Sequence, residues 1–266
     1  MQKIRSMLFV PANRPERYSK ALNSGSDAVI IDLEDAVPEA DKITARVQLK
    51  QWLIAHPEQQ VMIRVNADQT PWFTEDILLA QYANVCAIVL AKAEQERAFE
   101  AIKSIRNLAI YPIIETPYGM AHVEEIAGFP AVQALIFGSI DFQLEMQMTG
   151  DALELMYFRN RMVLASKLAG IAQPIDGVTA DFSNLELLSD ETIQAKKLGF
   201  QGKLCIHPKQ VDIVQQVFKP SFAEVQWAKE VLAAVQAAQG QTISLNGKMI
   251  DKPIISQAEK ILQQLD

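Results

Sequence analysis

The chain alternates short apolar runs with longer segments of helical period. Nearly all of the runs are continuously apolar rather than alternately apolar and polar, which is typical of parallel strands that are covered on both faces. Eight such runs are present. In chain order they are MLFVP (7–11), AVIIDLE (28–34), VMIRVN (61–66), CAIVLAK (86–92), IYPIIE (110–115), ALIFGS (134–139), QPIDGV (173–178) and GKLCIHP (202–208).

Amphipathic segments separate these runs and carry the punctuation of helices. PERYSKALNSG places a proline at a first helical position and closes on Gly25. DKITARVQLKQWLIAH has apolar residues near helical spacing. SDETIQAKKLGF predicts a helix that is capped at Ser189 and ends on Gly199.

Eight strand-then-helix units predict either a closed barrel or a long, doubly wound sheet. The count of eight favours the closed form, a TIM (β/α)₈ barrel of the α/β class. No GxGxxG follows the first strand, so a Rossmann dinucleotide site has no support.

The pattern changes after Phe218. KPSFAE is a turn and a helix start, a helix then runs to about Gln239, and a last helix follows a stretch punctuated by Gly and Pro. This tail is too small to hold a core of its own, so we expect it to pack on the barrel or on a neighbouring subunit. The predicted division is a catalytic barrel over 1–218 and a C-terminal segment over 219–266.

The composition narrows the class of function. The apolar fraction of 49% is ample for a buried core, and the formal charge of −7 argues against a general nucleic-acid binder. No apolar stretch reaches the ~18 residues of a membrane helix, and the start of the chain is too short in its apolar part for a signal peptide. We expect a cytoplasmic protein without a membrane or nucleic-acid partner.

Polar residues stand where the apolar runs stop, and in barrels these strand ends form the active site. Carboxylates that converge there repel one another unless a cation neutralises them, and Mg²⁺ typically takes one or two protein carboxylates with water and substrate oxygens. Glu115 and Asp141, from adjacent strands, suit that role. The alternative is that each acid caps a following helix, although Thr116 is a better cap than Glu115. The polar strand-end residues are Asp32, Glu34, Asp35, Arg64, Asn66, Lys92, Glu115, Asp141, Asp176 and His207.

Basic residues at two places predict an anionic ligand. Arg64 interrupts an apolar strand, where an unpaired charge is costly. It is therefore either paired with Glu34 or Asp35, or it reaches the cavity to bind a carboxylate through its planar fork, and both roles can coexist.

A second group of basic residues follows the first strand. Arg14, Arg17 and Lys20 lie in a loop and a first helix, where they form either a solvated helix face or a phosphate site near a helix N-terminus. His207, at the end of the eighth strand, is either a rim residue or a functional one.

At these residues the chain resembles the citrate lyase β-subunit family of CoA-ester lyases, within the HpcH/HpaI aldolase superfamily. The resemblance covers nearly the whole chain, and its strength lies in seven motifs that occur in order and at compatible spacing. They are SMLFVPANRPERYSKAL, DAVIIDLEDAV, IRVN, IIETPYGM, IFGSIDF, KLCIHPKQV and GKMIDKPIISQAEKIL.

The resemblance implies a TIM barrel with a short C-terminal helical lid, assembled as a trimer or hexamer. It implies Mg²⁺ bound by Glu115 of IIET and Asp141 of FGSIDF. Arg64 of IRVN matches an arginine that binds the substrate's carboxylate and reacting oxygen. Asp251 of MID matches a lid aspartate that completes a neighbouring subunit's site as acid/base. The implied substrate-binding residues are Phe9, Arg14, Lys20, Arg64 and Glu115.

The implied reaction is the Mg²⁺-dependent, reversible cleavage of a 3-hydroxyacyl-CoA thioester, such as citramalyl-, malyl- or citryl-CoA, to a 2-oxo acid and acetyl-CoA. Two alternatives stay open at this stage. The chain could be the β-subunit of a multi-enzyme citrate lyase that receives its thioester from an acyl carrier, or a class II aldolase that acts on free 2-oxo acids.

Overall fold

A computed structural model describes residues 3–150, 152–237, 243–245 and 248–263. These residues form two compact units, 1–215 and 216–266, which are described separately. The first unit contains eight parallel strands that close into a barrel in sequential order, β1 to β8. The strands are Ser6–Pro11 (β1), Ala28–Asp32 (β2), Val61–Val65 (β3), Val85–Leu90 (β4), Ala109–Ile114 (β5), Ile136–Phe137 (β6), Ile175–Asp176 (β7) and Gly202–Cys205 (β8).

The eight predicted apolar runs are thus the eight strands, and the TIM-like α/β barrel is confirmed. Helices connect consecutive strands, as parallel pairing requires. The α-helices that follow the strands are Tyr18–Leu22 (α1), Lys42–Ala55 (α2), Phe73–Ile77 (α3), Glu96–Ile105 (α4), Pro117–Ala121 (α5), Val123–Ala127 (α6), Ser139–Glu145 (α7), Leu153–Ala169 (α8), Leu185–Leu198 (α9) and Pro208–Phe218 (α10).

One apolar cluster takes side chains from all eight strands, which identifies the inward face of each strand. Because side chains alternate along a strand, positions two residues further on also point inward. Asp32 follows Ile30 by two residues, and Glu115 follows Ile113 in the same way. The buried members of the cluster are Met7, Ile30, Met62, Ala87, Val89, Tyr111, Ile113, Ala134, Ile136, Ile175 and Leu204.

Buried charges also lie on the outward face of the barrel wall. Lys203 is 1% exposed, and its Nζ is 3.0 Å from Asp176 Oδ2 and 3.5 Å from Glu191 Oε2. Arg159 of α8 donates from Nε to Asp176 Oδ1 at 3.1 Å. Burial acts to raise the pKa of Asp176, but Lys203 and Arg159 outweigh it and hold the pKa below its usual value. Asp176 therefore ties α8 and β8 to the barrel wall, whereas the sequence suggested a place on the rim.

Helix ends follow local capping rules, with one correction. Helix α9 begins at Leu185, because Asn184 Oδ1 accepts a hydrogen bond from the backbone N–H of Leu187 at 3.0 Å. The predicted cap at Ser189 is wrong, since this residue lies inside the helix. The predicted end on Gly199 is confirmed, with a left-handed φ of 102°.

Among its described residues, the second unit contains two helices and two short strands. They are Phe222–Ala237 (α11), Ile243–Leu245 (β9), Lys248–Ile250 (β10) and Lys252–Leu262 (α12). The two strands pair antiparallel, an element that the sequence pattern did not predict. Ala228, Val231, Ile250 and Ala258 form a small buried cluster. Across the described residues, every helix is too short or too polar to span a membrane.

Candidate active site

A cavity of about 420 Å³ opens at the carboxyl ends of the barrel strands, and we call it the first cavity. It brings together residues from the ends of β1, β2, β3, β5, β6 and β8 with the first turn of α7. Of the predicted site residues, four line it: Phe9, Arg64, Glu115 and Asp141. The charged residues in its wall are Asp32, Asp35, Arg64, Glu115 and Asp141.

Arg64 is held by a two-pronged ion pair with Asp32. These residues are register partners on β2 and β3, so their side chains emerge side by side. Arg64 Nε donates to Asp32 Oδ1 at 2.6 Å, and Nη2 donates to Oδ2 at 2.5 Å. Burial acts to lower the pKa of Arg64, and the carboxylates of Asp32 and Glu34 more than offset it, so the pKa is raised.

The sequence suggested Glu34 or Asp35 as the ion-pair partner of Arg64, with a ligand-binding role as the alternative. Both are present, but at longer distances of 3.1 Å and 3.5 Å from Nη1. The guanidinium also lies 4.7 Å from the centre of the Phe9 ring, which helps to hold its plane in the cavity wall. The register of β2 against β3 explains why Asp32 is the main partner, and that register is not readable from one apolar run.

Lys92 connects the ion pairs on β2 and β3 to Glu115 on β5. Its Nζ is 2.7 Å from Glu34 Oε1, and its backbone N–H donates to Glu115 Oε1 at 2.7 Å. The residue adopts a φ of +46°, a left-handed backbone conformation that is rare for residues other than Gly or Asn. This conformation is part of the arrangement that lets one residue contact both carboxylates, and sequence reasoning identified only its place at a strand end.

Glu34 lies between two cations. Burial acts to raise the pKa of its carboxyl group, but Arg64 and Lys92 outweigh burial and lower the pKa to about 2. Asp35 is the opposite case, because burial and the negative charge of Glu34 raise its pKa to about 6. Near neutral pH, Glu34 is therefore ionised and serves as the bridge between Arg64 and Lys92.

Glu115 is 2% exposed, and burial raises its pKa to about 8 despite the nearby charges of Arg64 and Lys92. The helix that follows is capped by Thr116, whose Oγ1 accepts from the backbone N–H of Gly119 at 3.0 Å. Glu115 is thus not needed as a cap, as the sequence suggested. A cation beside this buried carboxyl group would favour its ionised form, because an opposite charge lowers the pKa of an acid.

Gly138 makes room for this carboxylate. A Cβ at position 138 would lie 2.6 Å from Glu115 Oε2 and 2.9 Å from Ile113 Cγ2, closer than packing permits. The residue follows β6 and leads into α7, whose first turn carries Asp141 at the cavity wall. The glycine therefore allows Glu115 and the start of α7 to approach one another.

Two carboxylates at one cavity fit Mg²⁺ better than a metal that needs an all-protein cage. Mg²⁺ takes one or two carboxylates and leaves positions for water and substrate oxygens. Among the described residues, no three His, Cys, Asp or Glu side chains are grouped so as to hold a metal ion. The donor set of Glu115 and Asp141 is therefore one of hard oxygen ligands with open positions.

A second cavity of about 370 Å³ shares Phe9, Pro11 and Ile206 with the first. Arg17, Lys20 and His207 contribute its basic groups. His207 stacks on Phe182 with ring centres 4.9 Å apart. Burial lowers the pKa of His207, and Lys209 and Lys20 lower it further.

Two other predicted residues have different surroundings. Arg14 is absent from the described residues that line the two cavities, and its guanidinium lies 4.0 Å from the Glu16 carboxylate. Asp251 belongs to the second unit and is exposed. Its Oδ1 accepts from the backbone N–H of Ile254 at 3.3 Å, so it caps α12. The cap gives an acid at 251 a structural role, and a catalytic role stays a prediction.

A closed parallel barrel with ionisable groups at the carboxyl ends of its strands is the architecture of a large class of barrel enzymes. The comparison with protein families narrows that class: the chain belongs to the HpcH/HpaI aldolase/citrate lyase family, whose model matches residues 5–208. It is an enzyme of the carbon–carbon lyase type, and the resemblance stated from its motifs is confirmed.

Known relatives match almost end to end. A citrate lyase subunit beta-like protein of Deinococcus radiodurans is 33% identical, over 97% of this chain and 96% of the relative. A (3S)-malyl-CoA thioesterase of Cereibacter sphaeroides is 32% identical, over 98% and 94% of the two chains. A crystal structure of CitE from Mycobacterium tuberculosis, in complex with magnesium, acetoacetate and coenzyme A, has a TM-score of 0.85, with 30% identity and 98% coverage of each chain.

The raised pKa of Glu115 predicts how the stability of the metal-free protein depends on pH. The folded state holds a proton up to about pH 8, whereas the unfolded state releases it near 4.5, so this group's contribution to stability falls as pH rises between those values. From pH 6 to pH 8, we expect the free energy of unfolding to fall by roughly 2 kcal/mol more than in Glu115→Gln.

Urea denaturation of both proteins in a chelating buffer measures this difference. The Gln variant is the matched control, because it keeps the shape of the protonated side chain and cannot titrate. Parallel pH dependences for the two proteins would show that Glu115 titrates normally.

Proposed function

We propose that this protein catalyses the reversible carbon–carbon cleavage of a 3-hydroxyacyl-CoA thioester, with Mg²⁺ bound by Glu115 and Asp141. The products are a 2-oxo acid and acetyl-CoA. The observation that carries the proposal is that both carboxylates line the same cavity as the Arg64 guanidinium. The magnesium, acetoacetate and coenzyme A bound by the Mycobacterium relative support a site that combines a metal with coenzyme A and a small oxo acid.

The proposed metal site uses the properties of its two carboxylates. Glu115 is buried, and Asp141 lies in the first turn of α7, at the wall of the first cavity. A bound Mg²⁺ supplies a Lewis acid and a template for the substrate's oxygens. Its charge also favours the ionised form of Glu115, which burial alone disfavours.

Arg64 is proposed to bind the substrate's carboxylate and the oxygen on its hydroxyl-bearing carbon. Asp32 and Glu34 fix the guanidinium in the cavity wall before substrate arrives, so little reorganisation is needed when charge develops on that oxygen. In the cleavage direction the hydroxyl proton passes to solvent, the bond between the hydroxyl-bearing carbon and the α-carbon of the thioester breaks, and its electron pair forms the acetyl-CoA enolate. A proton then returns to the enolate carbon.

The second cavity is proposed to hold the CoA part of the thioester. It adjoins the first through shared side chains, and its basic groups suit phosphate oxygens. This cavity favours a thioester over a free 2-oxo acid, which has no phosphates for Arg17 and Lys20 to bind. An acyl-carrier thioester has the same phosphopantetheine chemistry as a CoA thioester. The cavity therefore does not distinguish the citrate lyase β-subunit role from a CoA-ester lyase, and an assay is needed.

Asp251 is proposed to transfer the proton to and from the enolate carbon, acting on the site of a neighbouring subunit in a homo-oligomer. The support is its match to the lid aspartate and its exposure in the second unit. Its place at the start of α12 fixes the backbone through the cap to Ile254 while leaving one carboxylate oxygen for chemistry.

The proposal predicts that the purified protein alone condenses acetyl-CoA with glyoxylate, pyruvate or oxaloacetate in the presence of Mg²⁺. Glu115→Gln and Asp141→Asn should each abolish this activity, because the amides keep the shape but lose the charge that binds the metal. Formation of the hydroxyacyl-CoA and consumption of the oxo acid are measured for each acid in turn.

The controls separate the alternatives. Activity that requires an acyl-carrier protein supports the citrate lyase β-subunit role, and cleavage of free hydroxy acids without CoA supports the aldolase role. Release of CoA with a free hydroxy acid as the only product identifies a thioesterase. Full activity of either amide variant, with its fold verified by circular dichroism, would contradict the metal assignment.

The cavity geometry predicts different effects for Lys20 and Arg14. Lys20→Ala should raise KM for the acyl-CoA by roughly tenfold and leave kcat nearly unchanged, since it removes one charge-assisted contact to a phosphate. Arg14→Ala should change KM less, because Arg14 lies outside both cavities. Lys50→Ala on α2 is the control for a lost surface charge. Equal KM values for the Lys20 and Lys50 variants would remove Lys20 from the CoA site.

Asp251 offers a test that separates catalysis from capping. Asparagine is as good an N-cap as aspartate but cannot carry a proton, so Asp251→Asn should keep stability and Mg²⁺ affinity while kcat falls by roughly 100-fold or more. Asp251→Ala should lose the cap as well, with a cost of about 1 kcal/mol in unfolding free energy. Normal turnover in the Asn variant would leave Asp251 with the cap alone.

A further inference from the structure

Lys42 is a buried lysine outside the walls of the two cavities. It is the first residue of α2 and is 6% exposed. Its Nζ donates to the backbone carbonyl oxygens of Leu33 and Glu34, each at 2.9 Å, and to Asn66 Oδ1 at 2.7 Å. An ammonium group has three N–H donors, so these contacts use all of them. All three partners are neutral oxygens, although the burial of a cation is costly.

The two carbonyl groups belong to the turn that follows β2, residues 33–36, which we call the β2 turn. Asp32 binds the N–H groups of the same turn. Its Oδ1 accepts from the backbone N–H of Glu34 at 2.8 Å, and its Oδ2 accepts from that of Ala36 at 3.1 Å. The turn is therefore held by two opposite charges, a carboxylate in the wall of the first cavity and an ammonium group on α2.

The β2 turn carries two of the carboxylates that surround Arg64. Glu34 Oε2 is 3.1 Å from Arg64 Nη1, and Asp35 Oδ2 is 3.5 Å from the same nitrogen. The position of the turn thus sets the position of both carboxylates relative to the guanidinium. Misplacement of a catalytic group by ~1 Å can reduce a rate by roughly 100-fold.

The turn keeps other hydrogen bonds when the ammonium group is removed. Leu33 O also accepts from Asn66 Nδ2 at 3.0 Å, and Glu34 O also accepts from the backbone N–H of Val37 at 3.1 Å. In Lys42→Met, both carbonyl groups therefore retain a donor, and an unbranched side chain still fills the space. We expect this variant to fold, with the connection between the turn and α2 lost.

We propose that Lys42 is a positioning residue, whose ammonium group holds the β2 turn so that Glu34 and Asp35 keep the Arg64 guanidinium directed into the first cavity. This role rests on the proposed function, in which Arg64 stabilises charge on the reacting oxygen. Lys42 acts on the rate through the turn, since it does not line the cavity itself.

The test compares Lys42→Met with Arg46→Met. Arg46 lies one turn later on α2, and its Nε donates to the buried Asp76 carboxylate at 2.7 Å. Both variants replace a long cation with an uncharged side chain and remove a buried hydrogen bond. A loss of stability alone therefore affects both proteins, whereas among the described contacts the β2 turn loses a hydrogen bond only in Lys42→Met.

We expect kcat for the condensation of acetyl-CoA with a 2-oxo acid to fall by roughly 10- to 100-fold in Lys42→Met. KM for acetyl-CoA should stay within about twofold of wild type, because none of the described residues that line the second cavity belongs to the β2 turn. Arg46→Met should keep both constants. Steady-state kinetics at saturating Mg²⁺ measure them.

Hydrogen exchange of the metal-free protein gives a second readout that is independent of activity. The backbone N–H groups of Glu34 and Ala36 are protected while the turn holds them against Asp32. They should exchange at least roughly tenfold faster in Lys42→Met and at the wild-type rate in Arg46→Met. The N–H groups of the barrel strands report global stability and provide the correction for it.

Slower turnover together with faster exchange of the β2 turn would support the positioning role of Lys42. Three results would each contradict this role and leave the proposed function intact: unchanged kcat in a folded Lys42→Met, equal losses of kcat in the two variants, and unchanged exchange of the turn. A wild-type protein that condenses none of the tested 2-oxo acids would contradict the proposed function, and the role of Lys42 with it.

Discussion

The ion pair between Asp32 and Arg64 is the interaction on which the wall of the first cavity depends. It begins a series of alternating charges formed by Asp32, Arg64, Glu34 and Lys92, and the backbone N–H of Lys92 connects this series to the carboxyl group of Glu115. Each member is close to a group of opposite charge or to a backbone donor. Loss of Arg64 would leave the buried Asp32 carboxylate without its cation, and such a loss is strongly destabilising, even where the intact pair adds little net stability. The series therefore acts as a unit that sets the position of each polar group.

Charged residues at the strand ends divide into two sets according to the face on which they lie. Asp32, Arg64 and Glu115 share the inward parity of the apolar cluster, so they reach the cavity. Asp176 and Lys203 have the opposite parity and join the strands to α8 and α9. Strand residues that point inward therefore shape the site, whereas strand residues that point outward hold the helices against the barrel.

Much of the architecture follows from local pattern. Eight apolar runs with intervening helical segments suffice for the barrel, and Pro15 and Gly199 mark a helix start and a helix end. The antiparallel pair of β9 and β10 was not predictable, because two three-residue strands are too short to show a period. The start of α9 was misplaced because two capping residues, Asn184 and Ser189, lie within two turns, and only the hydrogen bond decides between them.

The site was predictable in kind but not in detail. The polar residues at strand ends indicate which side chains contribute to the site. In a continuously apolar strand, however, the sequence does not show which residues point into the barrel and which point outward. The main partner of Arg64 depends on the register of β2 and β3. The contacts of Lys92 depend on a left-handed backbone conformation that a lysine in the sequence does not predict. These properties belong to the closed sheet rather than to any one segment.

The close approach of Gly138 to Glu115 has a consequence for redesign of the cavity. Because even a methyl group at 138 would collide with the glutamate side chain, the two positions share one volume and cannot be varied independently. A library that keeps the acid must keep the glycine, and a library that enlarges 138 must shorten 115 in the same molecule. The range of substrates accessible by single substitutions is accordingly narrower here than the openness of the barrel mouth suggests.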